Sequence, residues 1–104
     1  MTSNSEIQFV KRSSDGHTSK QKIHQHELVI AIMKKGWESE KKIWWFAYEL
    51  MGFWEIDGSK YFMSYKASTR VSELANEGLV ESRKTEGKLH LYALNQIIIQ
   101  ANDE

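Results

Sequence analysis

The stretch Ser64–Leu94, SYKASTRVSELANEGLVESRKTEGKLHLYAL, decides how the rest of the chain is read. Ser64 is a candidate N-cap, because its hydroxyl can accept from an otherwise unpaired amide of the first helical turn. Ala67, Val71, Leu74 and Ala75 follow at i, i+4, i+7 and i+8, and this apolar stripe predicts a helix over 64–77. Gly78 closes that helix, since glycine takes the positive φ common at a helix end without a Cβ clash. Leu79 and Val80 then begin a strand, Thr85-Glu86-Gly87-Lys88 makes a turn, and Leu89 to Leu94 returns. The expectation is a hairpin over 79–94.

The face of the helix turned away from the stripe carries Tyr65, Thr69, Ser72 and Asn76, with Lys66 and Glu73 flanking them. Such side chains donate and accept hydrogen bonds without demanding burial, as a groove-reading helix requires, although any solvated helix face has a similar composition. The hairpin that follows adds Arg83, Lys84 and Lys88 around its tip, within reach of a phosphate backbone beside the groove.

The run STRVSELANEGLVESRK, with the short basic turn and LYAL after it, resembles the recognition helix and wing of a winged helix-turn-helix domain. Ala47, Leu50 and Gly52 resemble the second helix of such domains, so the resemblance spans roughly 20–95. It implies an α+β fold of three helices followed by a two-stranded β-hairpin wing, with double-stranded DNA as partner. On that basis Tyr65, Thr69, Ser72 and Asn76 are candidates for base edges, and Lys66, Arg70, Arg83, Lys84 and Lys88 for phosphates. The implied role is a small transcriptional regulator or a phage or mobile-element accessory factor. Winged helices also serve as protein-contact modules, and an adaptor using Trp37, Trp44, Trp45 and Trp54, or a homodimer through a Trp- and Ile-rich surface, is the competing reading.

At 104 residues the chain has room for one domain with a modest core. The absence of cysteine excludes a disulfide framework and thiolate metal sites, in keeping with a reducing cytoplasm. No apolar run approaches the ~20 residues needed to span a membrane, and a soluble protein is expected. The formal charge is zero, whereas dedicated nucleic-acid binders are commonly basic. The charge is unevenly placed: Lys and Arg outnumber Asp and Glu in 1–35 and 58–90, while the acids prevail in 36–57 and 91–104.

Taken in order, residues 1–17 read as a flexible tail, with a possible short strand at Ile7–Val10 and a loose basic arm at Lys11 and Arg12. Residues 18–96 are the expected domain. Thr18 to Gln21 fits a capping box, and Ile23, Val29, Ile30, Ile32 and Met33 predict a first helix over 19–35 that Gly36 stops. Ser39 is a candidate cap for a second helix over 40–51, in which Ile43, Phe46, Ala47 and Leu50 face inward. Trp44, Tyr48 and Met51 form an adjacent stripe, and Trp45 stands apart. Phe53–Phe62 departs from the winged-helix pattern: Asp57-Gly58 between aromatic runs signals either a small hairpin or a longer ordered loop. Residues 97–104 read as a tail, in which Ile97-Ile98-Ile99 could add an edge strand, extend as a short helix, or meet a partner chain.

No phosphate-binding glycine loop or hydrolase, zinc-protease or kinase motif is present, so no catalysis and no cofactor are expected. His24 and His26 lie two apart, on nearly opposite sides of a helix, which makes them a poor metal pair.

Overall fold

A computed structural model describes the backbone of residues 19–103 and the side chains from His24 onward. The expected tail, the strand at Ile7–Val10, the Lys11 and Arg12 arm, the capping box at Thr18 and the burial of Ile23 lie outside the described residues. Helix α1 runs Ser19–Glu40. Strand β1, Trp45–Phe46, leads into a single 3-10 turn, Ala47–Leu50. Strands β2, Gly52–Ile56, and β3, Ser59–Met63, precede helix α2, Ala67–Asn76. Strands β4, Val80–Lys84, and β5, His90–Leu94, follow, and helix α3, Asn95–Asp103, ends the described chain. The described residues are therefore α+β, with three helices and two small antiparallel sheets, one ordered β1-β5-β4 and one formed by β2 and β3.

Two of the expected elements are realised closely. The stripe on α2 is core, with Ala67, Val71 and Leu74 buried. Ser64 accepts the Lys66 amide on its hydroxyl at 3.2 Å, although the regular helix begins at Ala67. At the other end Gly78 sits at φ 87, the Gly78 amide donates to Ala75 O and the Leu79 amide to Leu74 O, the paired bonds of a Schellman cap. In the hairpin, Val80 pairs with Leu94 and Lys84 with His90. The Phe53–Phe62 segment forms the small-hairpin alternative. Asp57 and Gly58 both take positive φ, 53 and 83, the requirement of a tight two-residue turn whose twist matches its strands.

The second helix expected over 40–51 is not formed, and Gly36 does not stop the first. Ile43, Phe46, Ala47 and Leu50 do keep helical spacing, but the run Ile43-Trp44-Trp45-Phe46 is β-branched and aromatic, and tertiary pairing overrides the pattern. Trp45 pairs with Tyr92 and Phe46 with Leu91. Trp45, expected to stand apart, is 3% exposed and belongs to the core with Leu50 and Met33. Its indole lies against Gly36, where an added Cβ would come within 2.3 Å of Trp45 Cζ2. Gly36 is thus a packing glycine inside the helix. The helix ends instead at Lys41, which takes φ 57 and donates its amide to Trp37 O. Ser39 caps nothing and bonds back to Lys35 O at 2.9 Å within α1.

Residues 97–103 are helical, as one of the three alternatives for the isoleucines allowed, with Ile97 buried and Ile99 exposed. Asn95 joins this end to the hairpin base: its amide donates to Leu79 O and its side chain to Gly78 O at 2.7 Å. Among the described residues no helix is long and apolar enough to cross a membrane.

Gly36→Ala separates local from tertiary control. Helix propensity alone favours alanine by about 1 kcal/mol, whereas the overlap with a buried indole predicts a net loss of about 1–3 kcal/mol. Urea denaturation gives the sign, and a stabilised variant would show that the indole does not rest on this position.

Candidate nucleic-acid interface

Helix α2 has a buried side, two flanks and one outward face. The flank toward α1 is polar. Arg70 Nε donates to Gln25 Oε1 at 2.7 Å and Nη1 to Glu73 Oε1 at 3.0 Å, while His26 Nε2 meets the same Glu73 oxygen at 2.7 Å. Arg70 is 3% exposed, so the expectation that it reaches a phosphate does not hold; its guanidinium is used within the protein to pin α2 to α1. The hydrogen bond from His26 holds the Glu73 carboxyl below its usual range, with bonds and charge from Arg70 adding to this against the opposing effect of burial.

The other flank faces β5. Ser72 is half-buried and its hydroxyl lies 3.4 Å from Tyr92 Oη, so this candidate base contact turns toward the sheet. Thr69 and Asn76 are exposed on the outward face, and Tyr65, in the turn ahead of the helix, is 74% exposed. Lys66 is half-buried beside it.

Strand alternation divides the cations of β4. Ser82, Tyr92 and Trp45 are register partners and share the core-facing side of the sheet, on which Lys84 and His90 continue outward. Arg83, paired with Leu91, points to the opposite side, where its guanidinium lies 4.1 Å above the Trp44 ring. Arg83 and Lys84, adjacent in sequence, therefore do not act together. The tip between the strands is held by Thr85, whose hydroxyl donates to Leu89 O at 2.7 Å and accepts from the Gly87 amide at 3.2 Å. This places exposed Lys88 on a braced loop.

Between the 3-10 turn, the start of α2 and this loop lies an open groove of about 280 Å³, lined by Tyr48, Met51, Ser68, Leu89, His90 and Tyr92 among others, with Lys88 at its edge. Sequence reasoning missed Ser68, His90 and Tyr92, because none belongs to a motif. Only the strand register brings His90 alongside Lys84, and only the seating of α2 brings Ser68 to the same place. The tryptophans proposed as an interaction surface are largely withdrawn: Trp37 and Trp45 are buried, Trp54 is half-buried with its Nε1 donating to Leu50 O, and Trp44 lies beneath Arg83. Among the described residues the exposed aromatic rings are instead Phe53 and Phe62, packed across the β2–β3 hairpin at 4.9 Å, with Tyr48 and Tyr65.

No protein-family model matches the chain, and no curated protein or solved structure does either.

Two outcomes follow from the α1–α2 network. Arg70→Met removes the bonds of a buried guanidinium to half-buried Gln25 and Glu73 and lowers stability by about 1–3 kcal/mol in chemical denaturation. Glu73, with its lowered carboxyl, contributes stability that is present above the unfolded value of about 4.3 and is lost as pH falls through the folded one. Wild type therefore loses more stability than Glu73→Gln between about pH 5 and pH 3, by under about 1 kcal/mol because the pair is partly solvated. Parallel pH curves for the two proteins would contradict this.

Proposed function

We propose that the protein binds double-stranded DNA through a winged-helix arrangement, with α2 in the major groove and the β4–β5 hairpin as the wing along the adjacent phosphates. The observation that carries the reading is one of order and placement. A helix with an outward polar face leads through a glycine cap into an antiparallel hairpin, and β1 joins the far side of that hairpin in the order β1-β5-β4. In this reading Thr69 and Asn76, exposed on the outward face, would meet base edges, with Tyr65 at the helix entrance. Lys84 and Lys88 would meet phosphates, with Lys66 beside the helix start. Ser72 supports the helix against Tyr92, Arg70 serves inside the protein, and Arg83 lies over Trp44 on the other side of the sheet. A 3-10 turn stands where such domains have a second helix, and the β2–β3 hairpin fills the connection to α2.

The role best suited to this reading is a small regulator or accessory factor. A second reading, a protein-contact module on the same scaffold, is favoured by one observation, the exposed Phe53–Phe62 pair on the outer face of β2–β3.

Salt sorts the residues. Each phosphate contact releases a counterion and adds close to one unit to the slope of log affinity against log salt. Lys84→Ala and Lys88→Ala should weaken binding to all duplexes alike and each reduce that slope by about one. Thr69→Ala and Asn76→Ala should cost about 1–3 kcal/mol on a selected site and little on random sequence. Titrations of labelled duplexes at several salt concentrations measure both. Wild-type affinity weaker than ~10⁻⁴ M at low salt, below ordinary non-specific binding, would remove the DNA reading and leave the protein-contact module.

A further inference from the structure

We propose that the groove between the 3-10 turn, α2 and the β4–β5 hairpin binds an unpaired nucleotide. Its base would stack on Tyr48 and its phosphate lie at Lys88, so that the protein prefers duplex DNA carrying a single-stranded extension. This rests on the duplex-binding reading and adds a second substrate feature to it.

Tyr48 is the first observation. It is 58% exposed and borders the groove. It lies flat on Phe46, with 8° between the ring planes and 5.4 Å between centroids. That offset stack orients the ring and covers part of one face, and the exposed remainder of the ring is free to meet a further planar group. Bases inside a duplex have both faces occupied by their neighbours, so away from the duplex ends only an unpaired or extruded base can stack there.

The second observation is the chemistry of the lining. Met51 and Leu89 supply apolar floor, and both are exposed in the absence of an occupant. Ser68 and His90 supply hydrogen-bonding groups suited to a base edge, and Lys88 supplies the cation. Among the described residues no carboxylate lines the groove. Glu49, next to Tyr48 in the chain, is turned away: its carboxylate accepts from the Phe46 amide at 2.8 Å and pairs with Lys42 at 3.3 Å. The groove at the end of α1 that Tyr48 also borders differs in carrying Glu40 and Glu49 together with Lys35 and Lys42.

The third observation is continuity. Ser68 lies one residue from Thr69 on α2, and Lys88 and His90 belong to the hairpin assigned to the phosphates. A strand leaving the duplex beside the wing therefore meets Lys88 and His90 on its way into the groove.

Fluorescence anisotropy with the full chain tests this using three probes: a blunt duplex, the same duplex with a short single-stranded extension, and the extension alone. Wild type should bind the extended duplex roughly 5- to 100-fold tighter than the blunt one, the worth of one base stacked on an aromatic ring. Tyr48→Phe should keep that ratio and Tyr48→Ala should bring it close to one. A 2-aminopurine as the first unpaired base should lose fluorescence on binding wild type and Tyr48→Phe, and keep it with Tyr48→Ala. Equal affinity of wild type for blunt and extended duplexes overturns the proposal while the duplex reading stands, and leaves the apolar floor to a protein side chain. So does a ratio unchanged in Tyr48→Ala. Binding of the single strand without duplex affinity, lost in Tyr48→Ala, keeps the groove assignment and overturns the duplex reading. Binding to none of the three overturns both.

Discussion

The contact between the Trp45 indole and the bare α-carbon of Gly36 governs more of this structure than any other. A tryptophan brings a large apolar area into a small core, and it can do so here only because α1 offers a position without a side chain. Once the ring is seated, the backbone at Trp45 and Phe46 lies along β5 and pairs with it. Trp54 then packs edge-on against Trp45 at 5.9 Å and donates to Leu50 O, which seats the β2–β3 hairpin over the same end of α1. The absence of a second helix and the length of the first are consequences of this one fit.

A different kind of interaction sets α2. Its apolar stripe fixes the depth of burial, while the cluster of Gln25, His26, Arg70 and Glu73 joins its flank to α1 through charge-assisted hydrogen bonds. Ser72 meets Tyr92 on the other flank. A helix of ten residues held on three sides has a narrow outward face, centred on Thr69 and Asn76. The functional reading therefore depends on what the neighbouring hairpin adds to that face.

Net neutrality is a weak argument against a polyanionic partner once the charges are placed. Exposed charges farther apart than a Debye length of about 8–10 Å hardly influence one another, so the local arrangement decides. Arg70 is matched by Glu73 inside the protein and Arg83 lies on the far side of the sheet, which leaves Lys66, Lys84 and Lys88 near α2. Glu77 at the helix end and Glu86 at the hairpin tip lie among them and reduce the local excess. On the proposed DNA-binding reading such a surface would contact few phosphates, and its specificity would have to come from base edges and from stacking.

Much of the fold was legible in the residues, and for local reasons. The α2 stripe, the glycine cap at Gly78, the Asp57-Gly58 turn and the strands on either side of Thr85–Lys88 depend on φ preferences and side-chain periodicity over a few residues. The polar outward positions Thr69 and Asn76 follow from the same periodicity. Tertiary structure alone decided the rest. Helical spacing at 43–50 yielded to a strand because burying Trp45 against Gly36 outweighs a weak local preference. Arg70 was indistinguishable from a surface cation until Gln25 and Glu73, one of them 45 residues away, closed around it. Arg83 and Lys84 were parted by a strand register that depends on β5, and the groove at Tyr48 is assembled from three separate segments. These features are set by long-range packing, which no window of sequence contains.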